Sequence, residues 1–124
     1  MSSIAGVLSG PMTAPYAMTK HAVEAFTKAL RDELEPYGID VTKLNPGPYD
    51  TGFNDAMVNG ISTYIEDGDE PAAAHEEFVR AIVLTGQLDP DEVVQAMADL
   101  TEAETTPVET FLPPGILALI SPPG

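Results

Sequence analysis

Between Pro15 and Glu35 apolar residues recur every three or four positions, at Val23, Phe26, Leu30 and Leu34. That period predicts a helix with one apolar stripe. Thr13 is placed to cap it and Pro15 suits its first turn. Glu24 and Lys28, four apart, predict a supporting pair on the solvated side. Pro36 and Gly38 end the helix. Ile39–Leu44 then reads as a short strand, apolar at 39, 41 and 44, and Asn45-Pro46-Gly47-Pro48 stops it abruptly. Before the helix, Met1–Gly10 reads as a strand end running into a Ser/Gly loop.

Thr51–Ile65 admits a short helix and a turn, and Glu66–Pro71 reads as a polar loop. A helix over Ala72–Leu84 is expected to turn Phe78, Ile82 and Ala74 inward. Asp89 and Pro90 open a further helix that runs to Leu100, with Val93, Val94, Met97 and Leu100 apolar. Val108–Leu112 is a second strand, and the Pro-rich stretch from Pro113 to Gly124 is expected to be irregular. The alternation predicts an α/β fold: a partial doubly wound layer of two or three parallel strands flanked by helices. The 124 residues fit one domain, 1–124.

Charge narrows the function classes. Residues 1–43 carry four basic and five acidic side chains, whereas residues 44–124 carry only Arg80 against fifteen acids, giving −15 in all. Phosphate neutralisation needs the opposite sign, so no nucleic-acid partner is expected. An anionic membrane surface is disfavoured for the same reason. The apolar run Phe111–Ile120 is interrupted by Pro113, Pro114 and Gly115 and is too short to span a bilayer. No cysteine is present, which excludes thiol chemistry, and no signal peptide is visible, so the expectation is a cytoplasmic protein. His21 and His75 lack the spacing of a metal site, and the acids at 66, 67, 69 and 70 lack the pattern of a calcium loop.

The chemistry concentrates early. Tyr16 and Lys20 stand four apart, one above the other on a helix face, where an ammonium favours the phenolate and readies the phenol for proton transfer. Ser3 offers a hydroxyl that could hydrogen-bond a substrate oxygen. The strand-then-turn N-P-G-P, with Thr51 four residues after Gly47, marks the kind of sheet edge where open α/β layers bind ligands. Each part alone is weak.

Together, M-S-S-I-A-G (1–6), Y-A-M-T-K (16–20) and N-P-G-P-Y-D-T-G (45–52), followed on the helix by A-V-E-A-F-T-K-A-L-R-D-E-L (22–34), resemble the short-chain dehydrogenase/reductase family. The likeness is strong over residues 1–58, weaker over 89–115, and carries little over 59–88. It implies a Rossmann-like fold and an NAD(P)-dependent oxidoreductase that transfers a hydride between the nicotinamide and a carbonyl or alcohol. It implies Tyr16 as general acid-base, Lys20 as its partner and ribose ligand, and Ser3 as the group orienting the carbonyl. Pro46, Gly47 and Thr51 would line the nicotinamide. Tyr49, Phe53, Met57 and Tyr64 are candidate substrate-facing residues.

That family opens with a glycine-rich nucleotide-binding half, and Gly6 and Gly10 do not form its series. The expectation is therefore a truncated form, resembling the catalytic half, with little activity alone. NAD and NADP stay undistinguished. The alternative is a non-catalytic fragment that survives by association. In either case the stripe on helix 15–35 suggests a homo-oligomer.

Overall fold

The computed structural model describes residues 1–120. Its elements are α1 (Ala14–Leu34), β1 (Lys43–Pro46), α2 (Phe53–Ser62), α3 (Glu70–Leu84), α4 (Asp91–Glu102), β2 (Glu109–Leu112) and a short α5 (Ile116–Ile120). Single 3-10 turns stand at Ile4–Gly6 and Glu35–Tyr37. β1 and β2 pair in parallel, with Lys43 opposite Glu109 and Pro46 opposite Leu112. Helices α2 to α4 make the crossover between them, as parallel strands require. The expected α/β layer is present with two strands.

The N-terminal residues contribute less strand than expected. Ser2 donates its N–H to the Leu44 carbonyl at 2.8 Å, on the β1 edge away from β2. Ser3 is extended, but the chain turns at once into Ile4–Gly6 and no ladder forms. β1 itself begins four residues later than its apolar pattern suggested. Ile39 is exposed, while Lys43, Leu44 and Asn45 are buried. Its pattern misleads because one face of β1 is covered by a polar partner, described below.

α1 holds the predicted span almost to the residue. Thr13 occupies the cap position but makes no side-chain bond to the helix; its hydroxyl is engaged with Gly10 instead. After α1 the chain leaves through Gly38 in the left-handed conformation, φ 70°, which an L side chain adopts at a cost. Of the predicted stripe, Val23, Leu30 and Leu34 are half-buried and Phe26 is not. Phe26 is 64% exposed, whereas Ala17 and Thr27 are the buried residues of α1.

In α3 the expected inward face fails: Phe78 and Ile82 are more than half exposed, Ala74 is exposed, and Val79 is buried. Asp69 caps this helix by accepting from the Ala72 N–H. α2 packs on α3, Val58 and Val79 are the buried residues of the two helices, and Asn54 and Ser62 bond across to Val83 and Glu76. In α4, Val93 is buried and Leu100 packs beside it, while Val94 and Met97 stay exposed. Asp89 accepts from the Asp91 N–H, but the cap position of α4 is held by Pro90, one position earlier than expected, and no side chain caps the helix. The stretch expected to be irregular contains α5; residues 121–124 lie outside the described residues. No described helix is long and apolar enough to cross a membrane.

The apolar core gathers under one face of the sheet. Leu44, Tyr49, Val93 and Leu112 form a buried cluster, with Leu88, Ala96 and Leu100 against it. Removing these side chains from water is the main favourable term available to the fold.

Candidate active site

The first turns of α1 present Tyr16 and Lys20 on one face, both half-buried. The Lys20 Nζ stands over the Tyr16 ring, 5.6 Å from its centroid. That is within the range at which an ammonium is drawn to an aromatic face. The Phe53 ring, at the start of α2, lies 5.4 Å from the Tyr16 ring, tilted by 42°. Phe53 is half exposed, so one wall of the phenol's surroundings is an open aromatic surface.

Ser3 is buried and its hydroxyl is engaged on two sides. It accepts from the Ala5 N–H at 3.2 Å, capping the 3-10 turn, and it lies 3.4 Å from the Pro46 carbonyl oxygen, to which it donates. The second bond is long and therefore weak. Ser3 is thus tied to the end of β1, where Pro46 and Gly47 turn the chain. Gly47 donates its N–H to the Leu112 carbonyl at 2.7 Å. Thr51 is exposed beyond this turn, its hydroxyl facing the Phe53 N–H at 3.4 Å.

The candidate substrate residues divide. Phe53 adjoins Tyr16 and Met57 is half-buried one turn later on α2. Tyr64 is almost fully exposed. Tyr49 is 5% exposed and belongs to the apolar core, where its hydroxyl donates to Glu92 Oε2 at 2.6 Å. Burial, and then the bond to the Glu92 carboxylate and its charge, push the Tyr49 phenol well above its ordinary range.

Sequence reasoning missed a buried polar cluster directly beneath these residues. Glu24, one turn beyond Lys20, does not pair with Lys28. Its Oε1 accepts from the Ser2 hydroxyl at 2.5 Å and from Asn45 Nδ2 at 2.6 Å, and its Oε2 pairs with the Lys43 ammonium. Lys43 also reaches Glu109 at 3.1 Å. Asn45 is wholly buried, and its Nδ2 donates as well to the Ser3 carbonyl at 3.1 Å.

Burial by itself would push the Glu24 carboxyl up. The hydrogen bonds from Lys43, Ser2 and Asn45, with the Lys43 charge, outweigh it and hold the carboxyl below its usual range. Burial likewise opposes the charged form of Lys43, and its bonds to Glu24 and Glu109 reverse that and raise it. Gly6 closes over the cluster. A Cβ there would fall 2.7 Å from both Glu24 Oε1 and the Ser2 hydroxyl oxygen, so only glycine leaves room for the carboxylate. Two signals could have revealed this. Glu24 continues the Tyr16–Lys20 series at the next i+4 position, and a lysine falls inside a strand.

Comparison with known proteins gives the family. The family model described as short chain dehydrogenase matches residues 1–62, half of the chain and the part that contains Ser3, Tyr16, Lys20 and Asn45 to Thr51. The chain belongs to the short-chain dehydrogenase family. It is 53% identical over 64 residues to an NADPH-dependent 3-dehydrocapnine reductase of Ornithobacterium rhinotracheale, covering 52% of this chain and 23% of that protein. It is 33% identical over 103 residues to the uncharacterized oxidoreductase YusZ of Bacillus subtilis, covering 81% of this chain and 35% of that protein. The fold matches the crystal structure of a short-chain dehydrogenase from Streptomyces avermitilis with a TM-score of 0.68 and 26% identity, over 89% of this chain and 39% of that one. The chain therefore spans between about a quarter and two fifths of the length of these relatives.

Proposed function

We propose that this short-chain dehydrogenase chain carries the proton-transfer and nicotinamide-facing part of an NAD(P)-dependent oxidoreductase acting on a small carbonyl or alcohol. The observation that supports this best is the Lys20 ammonium held over the Tyr16 ring. The donor set suits a dinucleotide's nicotinamide end. An ammonium has three donors for ribose hydroxyls, and the exposed Thr51 hydroxyl can serve the carboxamide. The cofactor supplies or accepts the hydride.

In carbonyl reduction the Tyr16 phenol donates its proton to the substrate oxygen as negative charge develops there. In alcohol oxidation the phenolate takes the proton back. The Ser3 hydroxyl orients the substrate oxygen, and Pro46 and Gly47 fix the floor of the site. Phe53, with Met57 behind it, offers the apolar contact for the substrate's carbon skeleton. A second copy of the chain is the proposed partner at the outer face of α1, where Met18 and Phe26 lie exposed.

The test is oxidation of NADH and NADPH by the full chain over a panel of ketones and aldehydes. Tyr16→Phe is expected to lower kcat about a hundredfold or more, the range for a lost general acid. Turnover that survives Tyr16→Phe would overturn the reading.

A further inference from the structure

The cluster beneath α1 joins three stretches of chain that are far apart in sequence. Glu24 comes from α1, one turn beyond Lys20 and two beyond Tyr16. Ser2 precedes Ser3, and Asn45 precedes Pro46. Each of the two residues that donate to Glu24 Oε1 is thus the chain neighbour of a proposed site residue. Asn45 adds a direct link, since the same Nδ2 holds the Ser3 carbonyl. The Ser3 hydroxyl then reaches the Pro46 carbonyl. An ionised acceptor shared by two donors makes the strong members of this network. The remaining carboxylate oxygen is neutralised by Lys43, whose other partner, Glu109, comes from β2.

We propose that Glu24 is a positioning residue: its carboxylate, clamped by Ser2, Lys43 and Asn45, sets where the Ser3 hydroxyl stands relative to the Tyr16–Lys20 face of α1. The inference rests on the reading of Ser3, Tyr16 and Lys20 as the proton-transfer group, although the clamp can be measured without it. Helix α1 carries both the phenol and the carboxylate on a rigid 21-residue element. Any shift of Glu24 against Ser2 therefore moves Ser3 against Tyr16. A displacement of about 1 Å at such a site costs on the order of a hundredfold in rate.

Glu24→Gln keeps the volume but cannot neutralise Lys43, and it turns an N–H₂ group toward donors. In the full chain, amide hydrogen exchange is expected to quicken about tenfold or more at Ser2, Ala5 and Gly6. These N–H groups bond to Leu44 O, the Ser3 hydroxyl and Ser3 O respectively. The amides of Ala56 and Leu88, bonded elsewhere, are expected to keep their rates. Ser2→Ala, which strands no charge, is expected to give the same pattern more weakly. Uniform acceleration, or none at the three sites, overturns the clamp.

In turnover, Glu24→Gln is expected to lower kcat about tenfold with substrate KM within about twofold, and to change little further in a Ser3→Ala background. Losses that multiply across the two substitutions overturn the positioning role. Loss of turnover in Tyr16→Phe with multiplying losses counts against this inference alone. Turnover that survives Tyr16→Phe counts against the oxidoreductase reading; in that case, and where the unmodified chain turns over too slowly to measure, the exchange pattern alone decides the clamp.

Discussion

On one face of β1, Leu44 joins Tyr49, Val93 and Leu112 in an apolar cluster covered by α4. On the other, Lys43 and Asn45 meet Glu24 of α1 through hydrogen bonds and charge. A parallel strand buried on both faces is normally apolar throughout. Here a single strand separates two kinds of interior. The apolar face gains stability from each methylene removed from water and tolerates substitutions that keep volume. The polar face gains little net stability, because desolvation of the ions offsets most of their attraction. What it supplies is directionality: a carboxylate with several fitted donors has one arrangement, and that arrangement fixes α1 against the Ser2–Ser3 segment and the end of β1.

The comparison predicts that breaking the polar face is the more damaging change despite its small net worth. Glu24→Ala leaves Lys43 with Glu109 alone and strips the Ser2 hydroxyl and the Asn45 amide of a shared acceptor. A loss of about 3 to 4 kcal/mol is expected in urea unfolding. The pH profile carries the sign. The Glu24 carboxyl is held below its ordinary 4.5, so its contribution is present above that value and is lost as pH falls through the folded-state value. The acid limb of the stability curve should therefore flatten in Glu24→Gln. An acid limb identical in the two proteins would show that the carboxylate is not held as described.

On the apolar face, Leu44→Ala removes the isopropyl end of the side chain at a site 7% exposed, next to Tyr49 and Leu112. The expected loss is about 3 kcal/mol, from lost transfer and the cavity left behind. The two faces then part in their tolerance of equal-volume substitution. Leu44→Met should recover most of the stability because the core accepts equal volume. No substitution that merely conserves volume at Glu24 should do so. If Glu24→Gln unfolds at the same urea concentration as the unmodified chain, the distinction between the faces fails.

This contrast also explains what could be read from the sequence. Tyr16, Lys20, Ser3 and the turn at Asn45 to Thr51 were legible because motif spacing marks them, and α1 because its apolar period is long. The direction in which α1 faces was legible only in part. Val23, Leu30 and Leu34 are half-buried as the stripe suggested, but Phe26 is exposed and the most buried positions are Ala17 and Thr27, which a count of large apolar residues passes over. Lys43 and Asn45 hid the start of β1 for the same reason. A buried ion pair looks like surface until its partner, nineteen residues away in sequence, is known. In α3 the exposed Phe78 and Ile82 outweigh Val79 in any hydrophobic count, so the inward face was again assigned to the larger side chains.

The smallest expected effect lies where the two kinds of interior touch in one residue. The Tyr49 ring belongs to the apolar cluster, while its hydroxyl donates to Glu92 at 2.6 Å on exposed α4 surface. Tyr49→Phe keeps the ring and leaves Glu92 free to hydrate, so the cost should be about 1 kcal/mol. Its signature is at high pH. The folded-state phenol is raised above its ordinary 10.0, so its contribution is complete below that value and is lost as pH rises through the folded-state value. Lys43, raised above its ordinary 10.5, loses its contribution in the same direction. Tyr49→Phe should therefore soften the alkaline fall in stability without abolishing it, and the remainder should vanish when Lys43→Met is added. An alkaline limb unchanged by Tyr49→Phe would mean that the ring alone, and not its hydroxyl, is what the core uses.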